Sequence, residues 1–396
     1  MKKNILFVIE SLDCAGAEKS LVTLLSMLDF EKVSVDLQLF SYGQILEDLV
    51  PKEVNILKPI QYTLFSQYNL KDSLVNAYKQ KNYNMLISRF RYSTFIRMRN
   101  YRNSQKARIY WENTSNVIES NSKKYDVAIS FAQGVPTFYV SEKVHAEKKF
   151  AWVNVSYKLK GKDKDFQKKH YDKFDKIVAV SESANEIFLD TFPIYKKKTT
   201  VIYDINNPEF ISSMADIGNG YTDNFNGIRI LTIGRLAKQK GYDIAIETCR
   251  KLRDIDIDFR WYVLGKGPLK KEIEQLIIDY NLKNHFILLG VEANPYPFIK
   301  NADIYVQTSK FEGYGLALAE ARMLNVPIVT TRFDAVYNQM IDGKNGLVVD
   351  MEAEAVSKGI VEIINNDQLR EDIIDYLKVE KKGNLEEIQK FYQLIG

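Results

Sequence analysis

Cysteine is nearly absent from this 396-residue chain, with only Cys14 and Cys249. The two fall in what the pattern below divides into separate domains. That excludes a disulfide framework and fits a reducing cytoplasm. Long apolar runs are also missing. No uncharged stretch approaches the roughly 20 residues of a membrane-spanning helix, so a soluble or peripheral protein is expected. Met1-Lys2-Lys3 has the charge of a secretory leader's start, but the apolar run Ile5–Ile9 is short and stops at Glu10. Histidine is scarce as well. His145 and His170 stand in charged, surface-like contexts, and His285 begins an apolar strand. No His/Cys/Asp cluster has metal-ligand spacing. Neither a Gly-x-Ser-x-Gly elbow nor a phosphate-loop lysine motif occurs.

What is present reads as an ordinary globular chain, with 45% hydrophobic and 27% charged residues and a formal net charge of +4. Its length suits two domains. Asn4–Glu10 is a short run rich in aliphatic residues, of the kind that forms a buried parallel strand. A turn and a helical pattern over Ala17–Leu28 follow, then a second strand at Val33–Phe40. Similar runs recur at Val54–Lys58, Tyr125–Phe131, Phe150–Val155, Lys176–Val180 and Thr200–Tyr203. After a Gly/Asn/Asp-rich loop over Asp216–Asn226, a more regular alternation begins. Its strands are Arg229–Ile233, Phe259–Leu264, His285–Leu289, Ala302–Gln307, Pro327–Thr331 and Gly346–Val349. The expected fold is α/β, with two Rossmann-like doubly wound domains facing across a cleft. The domains are placed at residues 1–204 and 205–375. Residues 376–396 form a polar helical tail that packs back on the N-terminal domain.

Three strand-to-helix loops of the second half carry polar chemistry. The first is Gly234-Arg235-Leu236-Ala237-Lys238-Gln239-Lys240-Gly241. Arg235 offers a planar fork of donors and Lys240 a mobile point charge, which together suit a diphosphate. The competing reading is a solvated basic loop. The second is Gly265-Lys266-Gly267-Pro268, where Lys270 breaks the Gly-x-Gly-x-x-Gly pattern of dinucleotide binders. The third is Glu312-Gly313-Tyr314-Gly315-Leu316-Ala317-Leu318-Ala319-Glu320. Its glycines free the backbone for a ligand, and the following helix N-terminus suits an anion. Glu312 and Glu320 suit sugar or ribose hydroxyls. The competing reading makes Glu320 a surface helix residue and Glu312 a capping acid.

Taken together, these segments resemble retaining glycosyltransferases of family 4, which have the GT-B fold. Glu312 and Glu320 match that family's Glu-x7-Glu motif. Arg235 and Lys240 match its Gly-Arg-Leu…Lys-Gly element. Ala15-Gly16-Ala17-Glu18 resembles its N-terminal Gly-Gly-Ala-Glu loop, with Ala15 in place of the first glycine. The resemblance implies a metal-independent, retaining hexosyltransferase without a cofactor. It implies a nucleotide diphosphate sugar donor, with a UDP-sugar as the leading expectation. The acceptor would be a glycan or lipid-linked molecule in cell-surface polysaccharide synthesis. Glu312 would contact the transferred sugar, Glu320 the ribose, and Arg235 and Lys240 the leaving diphosphate. Gly16, Gly234, Gly290, Val291, Gly313, Tyr314, Gly315 and Leu316 would line the donor. Asn154 stands where many relatives carry a His or Asp, and Asn accepts no proton. That departure keeps open a non-catalytic nucleotide-sugar-binding subunit; the other alternative, a nucleotide-sugar epimerase of the same fold, needs a proton acceptor for which the sequence offers no clear candidate.

Between Lys79 and Trp111 there are nine Lys or Arg residues and no Asp or Glu, with aromatics interleaved. Arg97, Arg99 and Arg102 are the candidate contacts to an acceptor or an anionic membrane. A solvated helix face is the plainer reading. Nucleic acid is the least expected partner. The expected location is the cytoplasm, at the inner face of the cell membrane.

Overall fold

The computed structural model describes residues 2–13, 16–99, 101–154, 159–218, 220–292, 294–312 and 315–396. The chain divides into two compact units, Met1–Asp204 with Glu386–Gly396, and Ile205–Leu385.

The first unit is built on seven strands. They are β1 (Lys3–Ile9), β2 (Val33–Leu39), β3 (Asn55–Ile56), β4 (Lys124–Ser130), β5 (His145–Val153), β6 (Lys176–Ala179) and β7 (Thr199–Val201). All pair in parallel, in the order β3-β2-β1-β4-β5-β6-β7. Ile5 to Ile9 of β1 are buried because helices cover both faces of a parallel sheet, which is why the strand is one apolar run. β5 starts five residues before the apolar run at Phe150, because main-chain pairing with β4 extends to Lys124–His145 whatever the side-chain polarity. The helix α1 (Gly16–Ser26) follows β1. Four helices fill the connection from β3 to β4: α2 (Gln61–Gln67), α3 (Leu70–Gln80), α4 (Tyr83–Arg97) and α5 (Asn103–Thr114). The remaining crossovers are α6 (Val135–Lys143), α7 (Gly161–Tyr171) and α8 (Glu182–Thr191).

His170 on α7 is fully buried, contrary to the surface-like context of its sequence. It shares the inward stripe of the helix with Phe166, one turn earlier, while neighbouring lysines cover the outward side and hide the period. Its Nδ1 lies 2.6 Å from the Ser141 hydroxyl, and the Phe138 ring is 4.4 Å away between centroids. Burial pulls the imidazole down to about 4 from 6.5, so it is neutral in the fold and charges in the unfolded chain first. The unfolded state therefore binds more protons between those values, and stability is lost as pH falls through 6.5. From pH 7 to pH 5 this group should remove about 2 kcal/mol of unfolding free energy. Urea denaturation of the wild type and of His170→Asn across that range checks it, since equal pH slopes would contradict the assignment.

The second unit begins with α9 (Pro208–Ala215) and has six strands: β8 (Ile228–Ile233), β9 (Phe259–Leu264), β10 (Phe286–Gly290), β11 (Ile304–Gln307), β12 (Ile328–Thr331) and β13 (Leu347–Val349). They are all parallel, in the order β10-β9-β8-β11-β12-β13. The helices α10 (Tyr242–Asp254), α11 (Lys270–Asp279), α12 (Tyr296–Lys300), α13 (Leu316–Met323), α14 (Ala353–Asn365) and α15 (Asp367–Val379) alternate with them. Each sheet thus starts at an inner strand and winds outward in both directions. That is the doubly wound arrangement read from the sequence.

The tail divides later than residue 376. α15 runs through Tyr376 without a break, and Glu380 stays in the second unit through the Arg322 guanidinium at 2.9 Å. Only the last helix, α16 (Glu387–Ile395), belongs to the first unit. Phe391 is fully buried there and stacks on Phe7 at 6.0 Å. The Glu387 carboxylate accepts the Tyr203 N–H at 3.0 Å, and the Tyr392 hydroxyl accepts the Asp29 N–H at 2.7 Å. A polar helix with one apolar edge is therefore a core element. Among the described residues, no helix is long and apolar enough to cross a membrane.

Candidate active site

Strand order in the second unit reverses between β8 and β11, and a doubly wound sheet offers a ligand crevice at the carboxyl ends of such a pair. The loops leaving these two strands carry the cations and the first carboxylate singled out in the sequence. Lys240 and Glu312 meet there in an ion pair between Nζ and Oε1. The Ser309 hydroxyl donates to the same Oε1 at 2.7 Å. The pair is sheltered, with only 18% of the lysine and 9% of the glutamate side chain exposed.

Backbone joins hold the two loops together. The Thr308 hydroxyl donates to the Lys240 carbonyl at 2.9 Å. The Lys310 N–H donates to the Gln239 carbonyl at 2.8 Å, and the Gln239 amide donates to the Phe311 carbonyl at 3.0 Å. Gly234 leaves room for the lysine stem, since a Cβ there would stand 3.0 Å from Cε of Lys240. The Tyr242 hydroxyl donates to the Gly234 carbonyl at 2.8 Å. The β9 loop closes in from the side. Gly265 has φ +158° and a Cβ there would fall 2.0 Å from the Gly234 carbonyl, so no other residue permits this approach. Its N–H donates to the Gly290 carbonyl at 2.6 Å, which draws in the end of β10 with half-buried Val291 beside it. Arg235 is exposed and forms no ion pair among the described residues.

Gly315 is the residue before α13 and adopts φ +83°. Leu316 opens the helix and is half-buried. Gly313 and Tyr314 lie outside the described residues. Glu320 is buried, at 4% exposure, and accepts the Tyr296 hydroxyl from α12 at 3.1 Å. A solvated helix-face acid is therefore not what this residue is. Tyr305 is buried nearby, and desolvation pushes its phenol well above 10.

The remaining candidates lie in the first unit. Asn154 follows β5, and its amide nitrogen donates to the Phe131 carbonyl at 2.6 Å. Gly16 is exposed and opens α1, while Ala15 before it lies outside the described residues. Of the basic stretch, two arginines turn out to be structural. Arg89 donates to the Phe65 carbonyl at 3.2 Å, and Arg108 pairs with Asp163 at 2.6 Å. Arg97, Arg99 and Arg102 are exposed.

Four supporting residues escaped the sequence reading. Ser309 and Gln239 fix the Glu312 loop, and Tyr296 fixes Glu320. Ser309 stands three residues before Glu312, and that short separation in the same loop offered a signal. Tyr296 is 24 positions from Glu320 and gave none. The fourth is Glu10, at the end of β1 where the first sheet reverses its order. Desolvation raises its carboxyl above the ordinary 4.5; burial chiefly raises the Tyr92 and Tyr110 phenols, and the Glu10 charge adds a smaller contribution.

Residues 223–379, within the second unit, match the family model Glycosyl transferases group 1. An uncharacterized glycosyltransferase of Methanocaldococcus jannaschii is 30% identical over 202 residues, covering 50% of this chain and 52% of the relative. The Campylobacter jejuni N-acetylgalactosamine-N,N'-diacetylbacillosaminyl-diphospho-undecaprenol 4-alpha-N-acetylgalactosaminyltransferase is 28% identical over 215 residues, covering 54% of this chain and 57% of that protein. The chain thus matches a little over half the length of these curated relatives. Staphylococcus aureus TarM, in complex with fondaparinux, alpha-GlcNAc-glycerol and UDP, superimposes with a TM-score of 0.65 at 14% identity, over 99% of both chains. The fold is that of the GT-B glycosyltransferases.

Proposed function

We propose that this chain is a retaining, metal-independent hexosyltransferase. It transfers a sugar from a nucleotide diphosphate sugar, UDP first, to a glycan or lipid-linked acceptor in cell-surface polysaccharide synthesis on the cytoplasmic side of the membrane. The observation that carries the reading is the sheltered Lys240–Glu312–Ser309 cluster at the switch point of the unit whose sequence matches the Glycosyl transferases group 1 model. The choice of UDP is supported by the UDP in the TarM complex. A lipid-linked acceptor is supported by the diphospho-undecaprenol in the name of the Campylobacter relative.

In this mechanism Glu320 takes the ribose hydroxyls and Glu312 the hydroxyls of the transferred sugar. Lys240 and Arg235 neutralise charge on the diphosphate as its bond to the anomeric carbon breaks. Gly234, Gly290, Val291, Gly315 and Leu316 line the donor. The acceptor oxygen bonds to that carbon on the face the diphosphate leaves, which retains configuration. The acceptor proton passes to a diphosphate oxygen, so the products are a glycoside and a nucleoside diphosphate. Asn154 orients rather than titrates, because an amide accepts no proton at neutral pH. Alignment and charge stabilisation supply the rate.

A donor screen tests the proposal. UDP-, GDP- and ADP-sugars are compared for thermal stabilisation and slow hydrolysis, in buffer containing EDTA. A UDP-sugar should raise the melting temperature and release UDP with EDTA present. No shift and no hydrolysis with any nucleotide sugar would overturn the reading, and activity lost with EDTA would overturn metal independence.

A further inference from the structure

Helix α4 is apolar on both sides, although only one side meets the core. Met85 and Leu86 pack inward and Ser88 is buried. Outward stand Tyr83, Ile87, Phe90 and Phe95, at 51%, 55%, 70% and 45% exposure, with Met98 just past the helix at 66%. The spacing 83, 87, 90 runs along one face of an α-helix. The preceding α3 adds exposed Leu74, Val75 and Tyr78. Exposed apolar side chains scattered singly need no explanation, but a cluster of this kind marks an interaction surface.

The charge along this surface is strongly one-sided, with Asp72 in the first turn of α3 the one acid of the two helices. Residues 73–111 contain no Asp or Glu. Lys79, Lys81, Arg91, Arg97, Arg99 and Arg102 are exposed, and none forms an ion pair among the described residues. Other parts of the surface do hold ion pairs, as with Lys168–Asp172, Arg250–Glu247 and Lys251–Glu354. Cations left without counter-charges beside exposed Phe, Tyr and Ile suit a partner that is apolar within and anionic at its boundary.

We infer that the outward face of α3 and α4 docks on an anionic lipid bilayer. Phe90, Ile87 and Met98 enter the interfacial region, and Arg91, Arg97 and Arg99 meet the lipid phosphates. A second copy of the chain fits less well, because a symmetric contact would press two strongly cationic faces together. The inference extends the role expected for Arg97 and Arg99 and is independent of sugar transfer.

The test is co-sedimentation of the full chain with phosphatidylcholine vesicles and with vesicles that also contain phosphatidylglycerol, at low and high salt. The protein should partition onto the anionic vesicles, and high salt should weaken that partitioning by about tenfold or more. Ile87→Asp with Phe90→Asp should cut partitioning by about tenfold or more while circular dichroism and melting stay unchanged, because both side chains face outward. Arg91→Gln with Arg97→Gln and Arg99→Gln should remove most of the salt-sensitive part, and this variant decides the matter if the first misfolds. Absence of binding to anionic vesicles overturns the inference, as does unchanged binding by the variants. Sedimentation of the wild type as a dimer that Phe90→Asp dissociates, without vesicle binding, would assign the face to a second copy and overturn it equally.

Discussion

Lys240→Ala is expected to lower kcat/KM for sugar transfer by about a hundredfold or more, equivalent to about 3 kcal/mol of transition-state stabilisation. The size follows from where the ammonium sits. Its backbone is clamped by the Thr308 hydroxyl, its stem passes over Gly234, and its end is held on Glu312 in a site that is mostly shielded from solvent. A charge so placed is not screened as an exposed lysine is. Because negative charge grows on the diphosphate as the bond breaks, the loss should fall on kcat more than on KM. Lys240→Arg should recover only part of the rate, since a planar fork does not follow the narrow path beside Gly234. Steady-state kinetics with the preferred donor checks both variants. Turnover of Lys240→Ala close to wild type would remove the residue from the site.

Glu312→Ala is expected to be the most damaging change. Transfer and donor hydrolysis should both fall by about a thousandfold, with the melting temperature little changed. The fold is spared because the loop has other anchors, the Lys310–Gln239 and Gln239–Phe311 bonds. Losing hydrolysis with transfer separates this residue from one that only binds the acceptor, whose loss would leave slow hydrolysis intact. Product assays beside a melting curve distinguish the cases. An active and stable Glu312→Ala would be incompatible with the proposed mechanism.

Much of this was legible in the sequence. The strands could be located because parallel strands covered on both faces are short apolar runs, as Asn4–Glu10 and Phe259–Leu264 are. Glu312 and Lys240 lie 72 positions apart, and only the alternation of strand and helix indicated that their loops leave neighbouring strands. What stayed hidden depends on side-chain direction or on distant partners. Tyr296 reaches Glu320 from another helix. His170 is buried by a helical stripe that surrounding lysines disguise. The start of the tail was also hidden, because α15 runs through Tyr376 without a break. The acid-free basic stretch was evident, but separating structural Arg89 and Arg108 from exposed Arg97 and Arg99 required coordinates.

Calorimetric titration of UDP into the wild type and into Arg235→Ala with Lys240→Ala reaches the main issue most directly, because it reads the diphosphate site without needing the acceptor or the sugar. Saturable binding to the wild type, weakened by about tenfold or more in the double variant, is the predicted result. Equal affinity in the two proteins would show that these cations do not hold the leaving group.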